Sequence, residues 1–394
     1  MGIKNLNRLK TRISQRKEVA QKKKFWLRLT NFCNNNCVFC LDSVHHNGTA
    51  RSIAVLKKEM VRGIGEGSDK LILSGGEPTI HPDFLNIVKL AKAIGYAHIQ
   101  VVTNGRMFYY QDFLNQAAAA GVTEITFSMH GHTKNLYEKQ SGIKGSFAQS
   151  LRGLTNALKL PGLIINIDIV INKINYRYLE DIIKFYISRN ITEFDLLQVT
   201  PFGSAWKNKE QVLYSIPAAA GYLKKAFQLQ YEFPHIYIWT NRFPACFLEG
   251  FEELIQHPEK LKDEIRGRLA LFSRFMKRGE LMPCFGEQCS YCFIEDFCKD
   301  LVKLKKEKQI TSKKTGGCVG AKPGALKRFI MQKTTTINSF LDFFINERFF
   351  LKSFRCKHCK AYSACDGAPI KLIQEKGFKI LKPSRLQEKT GKRP

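Results

Sequence analysis

Cys33-Asn34-Asn35-Asn36-Cys37-Val38-Phe39-Cys40 sets three cysteines with three and then two residues between them. Thiolates are soft ligands suited to iron–sulfur clusters or zinc. A run this short wraps three sulfurs around one centre and cannot supply a fourth, which leaves a corner for an outside ligand, as catalysis at a metal requires. The stretch follows a predicted strand at 25–30, so it falls on the loop at that strand's C-terminal end. In barrel-like α/β folds the chemistry collects at that end. The competing reading is a zinc knuckle or three unrelated thiols.

Working outward, residues 25–203 alternate short apolar runs with helical segments. Strands are predicted at 25–30, 70–73, 98–103, 124–128, 164–171 and 194–199. Helices are predicted at 53–65, 82–94, 109–120, 146–160 and 178–188. Such alternation argues for βαβ units and a parallel sheet, with right-handed crossovers curving six strands into a partial barrel. Directly after the second strand comes Ser74-Gly75-Gly76-Glu77-Pro78. Two glycines let a backbone approach a ligand closely, and a glutamate there can accept from an ammonium group.

Cys33, Cys37 and Cys40, with Phe39 before the last, resemble the cluster loop of the radical S-adenosylmethionine (SAM) enzymes. Ser74–Pro78, one βα unit later, resembles that family's motif for the methionyl amino group of SAM. The resemblance implies a (β/α)6 partial TIM barrel. It also implies a catalytic [4Fe-4S] cluster on the three cysteines, SAM as the fourth-iron ligand, and one-electron cleavage of SAM to a 5′-deoxyadenosyl radical that takes a hydrogen atom from substrate. Phe39, Ser74, Gly75, Gly76, Glu77, Asn104, Ser128 and Asn172 become the candidate SAM contacts, with Asn175 as an alternative to Asn172 and the 198–203 backbone beside adenine. Asn and Ser also cap strand-to-helix turns, so that reading stays open for each. His130 and His132 are substrate-side acids or turn residues.

The other nine of the twelve cysteines all follow Tyr237. Cys289-x2-Cys292-x5-Cys298 and Cys356-x2-Cys359-x5-Cys365 share one spacing, and each has an earlier lone cysteine, Cys246 and Cys318. The simplest parse is two four-thiolate sites: Cys246, Cys289, Cys292 and Cys298, then Cys318, Cys356, Cys359 and Cys365, with Cys284 left over. Zinc or two auxiliary [4Fe-4S] clusters would each fit four thiolates. The triplets resemble the SPASM and twitch extensions of radical SAM enzymes, although Val302 and Pro369 stand where the full SPASM pattern has a further cysteine. That resemblance implies a peptide or protein substrate.

The domains read as a basic arm (1–24), a radical SAM core (25–205), a bridge (206–240), a cysteine-rich α+β auxiliary-cluster domain (241–370) and a basic tail (371–394). No run of eighteen apolar residues appears, so no membrane span is expected. Cysteine abundance without a secretion signal points to a reducing, cytoplasmic setting, with a reductant such as flavodoxin or ferredoxin. The formal net charge of +29 admits nucleic acid as a partner on charge alone. Three classes therefore compete: a maturase of peptides or proteins, an RNA-modifying enzyme, and a non-enzymatic zinc or electron-transfer protein.

Overall fold

The computed structural model describes residues 23–282, 284–319 and 325–384. They divide into two compact units between Asn241 and Arg242. Most of the basic N-terminal arm and the last ten residues of the tail lie outside the described residues.

The first unit is a curled half-barrel of seven parallel strands in chain order: β1 (Lys24–Arg28), β2 (Lys70–Ser74), β3 (His98–Thr103), β4 (Glu124–Ser128), β5 (Ile164–Ile171), β6 (Glu193–Gln198) and β7 (Tyr237–Asn241). The partial barrel is as expected but has one strand more. β7 is the extended stretch assigned above to a bridge, and it pairs in parallel with β6. Its approach through the 17-residue helix Ile216–Glu232 broke the short strand–helix rhythm and hid it. The helix Lys134–Ser141, capped by the Thr133 hydroxyl on Leu136 N–H, was also missed, because its eight residues are mostly polar.

Strand side chains alternate between two faces. Ile125, Phe127, Ile167, Ile169, Phe194 and Leu196 are fully buried, and their neighbours point the other way, into the half-barrel. That inner face is polar. Lys70 pairs with Glu124 at 2.5 Å, Asn166 donates to Glu124 at 3.0 Å and Gln100 donates to Thr126 at 2.6 Å. Parallel strands bring all their C-terminal ends to one rim, where the loops described below meet.

The second unit is built on short helices around Phe272, Phe297, Phe340 and Phe344, with two small antiparallel β ladders. Arg348 and Asp300 form a buried two-point ion pair at 2.6 and 2.8 Å. The segment placed in the tail begins inside a helix, Ile370–Lys376, whose Ile370 and Ile373 are buried. No helix among the described residues is long and apolar enough to cross a membrane.

Candidate functional site

The three-cysteine loop leaves β1 and is fastened on every side. Arg28 grips Asp42 with two bonds of 2.5 and 2.6 Å. Asn36 and Val38 donate their N–H groups to the carbonyls of Ser141 and Gln140, at 2.9 and 3.0 Å. Beyond β6, the Ser204 N–H donates to the Cys40 carbonyl at 2.8 Å and Asn208 donates to the Val38 carbonyl at 2.9 Å. Gly203 sits at φ +57°, and a Cβ there would lie 2.5 Å from the Cys40 carbonyl oxygen. Gly203→Ala should therefore push the loop off its seat, and bound iron per purified chain should fall in that variant.

Inside this frame the three thiols sense one another. Burial, then the Glu77 charge, pushes Cys33 up to about 12. Burial, then Cys33 and Cys40, holds Cys37 far above its ordinary value, and burial also raises Cys40. Three half-buried, mutually repelling thiols, with Arg106 near Cys33 and Arg28 near Cys40 offsetting only part of the repulsion, suit a cationic metal centre that displaces their protons. They fit the expected cluster.

Glu77 sits at the centre of a buried hydrogen-bond cluster. Its carboxylate is 1% exposed. One oxygen accepts from Thr79 N–H at 3.1 Å, Thr79 hydroxyl at 2.5 Å and Thr103 hydroxyl at 2.6 Å; the other accepts from Asn104 N–H at 2.7 Å. With four donors on a group that has about four acceptor positions, the side chain ties the end of β2 to the end of β3. The glycines before it serve the same packing. A Cβ on Gly75 would meet Arg28 Cγ at 2.3 Å, and one on Gly76, at φ +55°, would meet the Phe32 carbonyl oxygen at 2.1 Å. The close approaches that demand glycine here are those of Arg28 at the end of β1 and of Phe32 just before the cysteines.

The later strand ends sort themselves by partner. Asn104 donates to Asn34 at 2.7 Å and accepts from Arg106 N–H at 3.0 Å. Asn172 is fully buried; it donates to Gln140 at 2.7 Å and Val170 at 3.1 Å and accepts from Ile174 N–H at 2.9 Å. Asn175 donates to the His130 and Val170 carbonyls at 3.1 and 2.9 Å. These asparagines brace turns. Ser74 and Ser128 are half-buried at the rim, and the Ser128 carbonyl accepts from the Tyr137 hydroxyl at 3.3 Å.

His130 is a prop. Its Nδ1 accepts from Val170 N–H at 3.1 Å and its ring meets Phe39 edge-on at 4.7 Å. Burial lowers its pKa from 6.5 to about 3, so it stays neutral and is no acid. Between these two values the unfolded chain binds a proton that the fold refuses. Stability therefore declines as pH falls through that window, by about 1.4 kcal/mol per pH unit. In denaturant titrations between pH 7 and 5, wild type should lose about 2 kcal/mol more than His130→Gln, which keeps an acceptor for Val170.

In the second unit several of the later cysteines lie near one another. Cys298 is influenced by Cys292, Cys284 and Cys289, and by Arg268, and the Cys289 thiol donates to the Cys284 carbonyl at 3.6 Å. Cys246 instead faces Asp296 and Lys357. Cys284 thus stands beside Cys289, Cys292 and Cys298, the neighbourhood that the sequence parse gives to Cys246. Cys356 senses Cys318, Cys365 and Cys359, and a Cβ on Gly316 would lie 2.8 Å from Cys365 Sγ and 3.8 Å from Cys318 Sγ. Among the described residues no three Cys, His, Asp or Glu side chains gather at the spacing of a single metal ion.

A half-barrel with a three-cysteine loop on its first strand and Gly-Gly-Glu on its second defines a class, and the match agrees: residues 27–186 fit the family model of the Radical SAM superfamily. This part of the chain is a radical SAM enzyme core. Among curated relatives, a probable GTP 3′,8-cyclase of Saccharolobus islandicus (strain M.14.25 / Kamchatka #1) is 28% identical over 185 residues, 45% of this chain and 57% of the relative. One from Sulfurisphaera tokodaii is 28% identical over 180 residues, 44% and 55%. The chain thus spans a little over half the length of the curated relatives it matches. Among solved structures, Streptococcus suis SuiB bound to precursor peptide SuiA aligns with 94% of this chain and 79% of its own, at TM-score 0.49 and 15% identity. Native anSMEcpe with bound AdoMet aligns with 61% and 66%, at TM-score 0.45 and 18% identity.

Proposed function

We propose that the chain is a radical SAM enzyme that modifies a peptide or protein in a reducing compartment such as the cytoplasm, with electrons supplied by a flavodoxin or ferredoxin. The observation that carries the chemistry is the set of three neighbouring, half-buried thiols held at the C-terminal end of β1 beside the Gly-Gly-Glu turn of β2. Cys33, Cys37 and Cys40 would hold the [4Fe-4S] cluster, and the rim around Ser74, Gly75, Gly76 and Ser128 would receive SAM. When bound, cluster and SAM together supply a 5′-deoxyadenosyl radical. The chain contributes a rigid loop, a rim that orients the ligand, and neutral props, Phe39 and His130, that exclude water.

Read as two closed auxiliary [4Fe-4S] sites of SPASM or twitch type, Cys284, Cys289, Cys292 and Cys298 and then Cys318, Cys356, Cys359 and Cys365, the later cysteines support the peptide or protein reading. The similarity to probable GTP 3′,8-cyclases favours a second reading, a nucleotide substrate. Charge on the inner face counts against it. Ser128, Asp168, Asp195 and Trp239 stand in register across β4 to β7, and Asp168 is near enough to raise the Cys37 pKa. Carboxylates there oppose a triphosphate.

Anaerobically purified protein should carry about twelve irons, from three four-iron clusters, and form 5′-deoxyadenosine from SAM under reductant. Four irons with two zincs would replace the auxiliary clusters, and no iron would sink the reading. Cys284→Ser should cost about four irons and Cys246→Ser none; the reverse result would restore the sequence parse. GTP should leave SAM cleavage at its uncoupled rate, and stimulation by GTP would favour the nucleotide reading.

A further inference from the structure

The three residues between Cys33 and Cys37 are all asparagine, and the function proposed above uses none of them. Asn35 is 7% exposed. Its N–H donates to Cys33 Sγ at 3.4 Å, and its side-chain amide is near enough to Cys37 to favour that thiol's charged form. One residue thus addresses two of the three thiols. Its carbonyl oxygen accepts from Arg106 Nη1 at 3.0 Å. That bond settles which way the amide faces. Flipped, its NH2 would meet a guanidinium that can only donate, so the NH2 end is kept for sulfur. Arg106 is itself fixed, through Nε to Gln149 at 2.7 Å and through Nη1 to the Asn34 carbonyl.

We propose that Asn35, oriented by Arg106, donates hydrogen bonds to the sulfurs of Cys33 and Cys37 and so raises the reduction potential of the cluster that they hold. Reduction adds negative charge that spreads onto the thiolate sulfurs. Donors aimed there favour the reduced state, as hydrogen bonds to cluster sulfurs do generally. Arg106 acts through Asn35 and is a positioning residue. The inference rests on the reading that this loop holds a four-iron cluster.

The test is an EPR-monitored redox titration of the full-length, cluster-loaded protein, following the signal that disappears in Cys37→Ala. In Asn35→Ala the ratio of reduced to oxidised cluster at a fixed potential should fall about tenfold, equivalent to about 59 mV for one electron. Arg106→Lys keeps the positive charge but loses the planar fork, and should shift the ratio the same way. The double variant should add little to Asn35→Ala. Unshifted potentials in both single variants at full iron content would overturn the proposal. Should the variants lose iron, wild-type protein with ¹⁵N in its asparagine side chains decides: the reduced cluster should show a coupled ¹⁵N, and absence of that coupling overturns the proposal equally. Failure of the underlying reading looks different: wild type and a Cys33/Cys37/Cys40 triple alanine variant would hold the same iron.

Discussion

Cys37→Ala abolishes reductive formation of 5′-deoxyadenosine and removes about four irons per chain. Of the three loop cysteines, Cys37 is the most deeply set. Burial holds its thiol up, and Cys33, Cys40 and Asp168 all press on it. Alanine leaves two thiols on a loop that the protein still holds by Arg28–Asp42 and by Ser204 on Cys40, so the fold survives while the centre does not. The check is iron and sulfide content with product analysis on the same sample, beside circular dichroism to show intact structure. Undiminished 5′-deoxyadenosine would remove the loop from the chemistry altogether.

Glu77→Ala costs the first unit about 3 kcal/mol, because it strips the acceptor from Thr79, Thr103 and Asn104 and strands buried donors at about 1–3 kcal/mol each. For a unit of this size the thermal midpoint should fall roughly 6–12 °C. If the carboxylate instead served chiefly as an ammonium acceptor, stability would hardly move and only the SAM dissociation constant would rise. Calorimetry and SAM binding on one preparation separate the two. Glu77→Gln should fall between, since an amide NH2 confronts at least one of the same donors.

The cysteine loop and the Gly-Gly-Glu turn were legible in sequence because their meaning is local: spacing fixes how many sulfurs one loop can offer, and glycine marks a close approach whatever approaches. Five of the predicted helices and six strands were legible for the same reason, periodicity over a short window. What sequence could not show is where a side chain spends its hydrogen bonds. Glu77 reaches Thr103 and Asn104, 26 and 27 residues away, and Asn172 reaches Gln140, 32 residues away. An asparagine at a strand end reads alike whether it faces a ligand or a neighbouring turn. Arg106 gave one weak signal, a cation directly after the Thr103-Asn104-Gly105 strand end, on the rim where the other candidates converge.

The bonds from Ser204 and Asn208 onto the cysteine loop join positions 164 and 170 residues apart. Such long closures come late in folding, after the local strand–helix units have formed. A nascent chain would therefore expose Cys33, Cys37 and Cys40 on an unseated loop until more than half its length had been made. Iron delivery is thereby ordered in time. A chain truncated after β5 should bind iron weakly and lose it to a chelator within the dead time of mixing, whereas one extending past Asn208 should retain it.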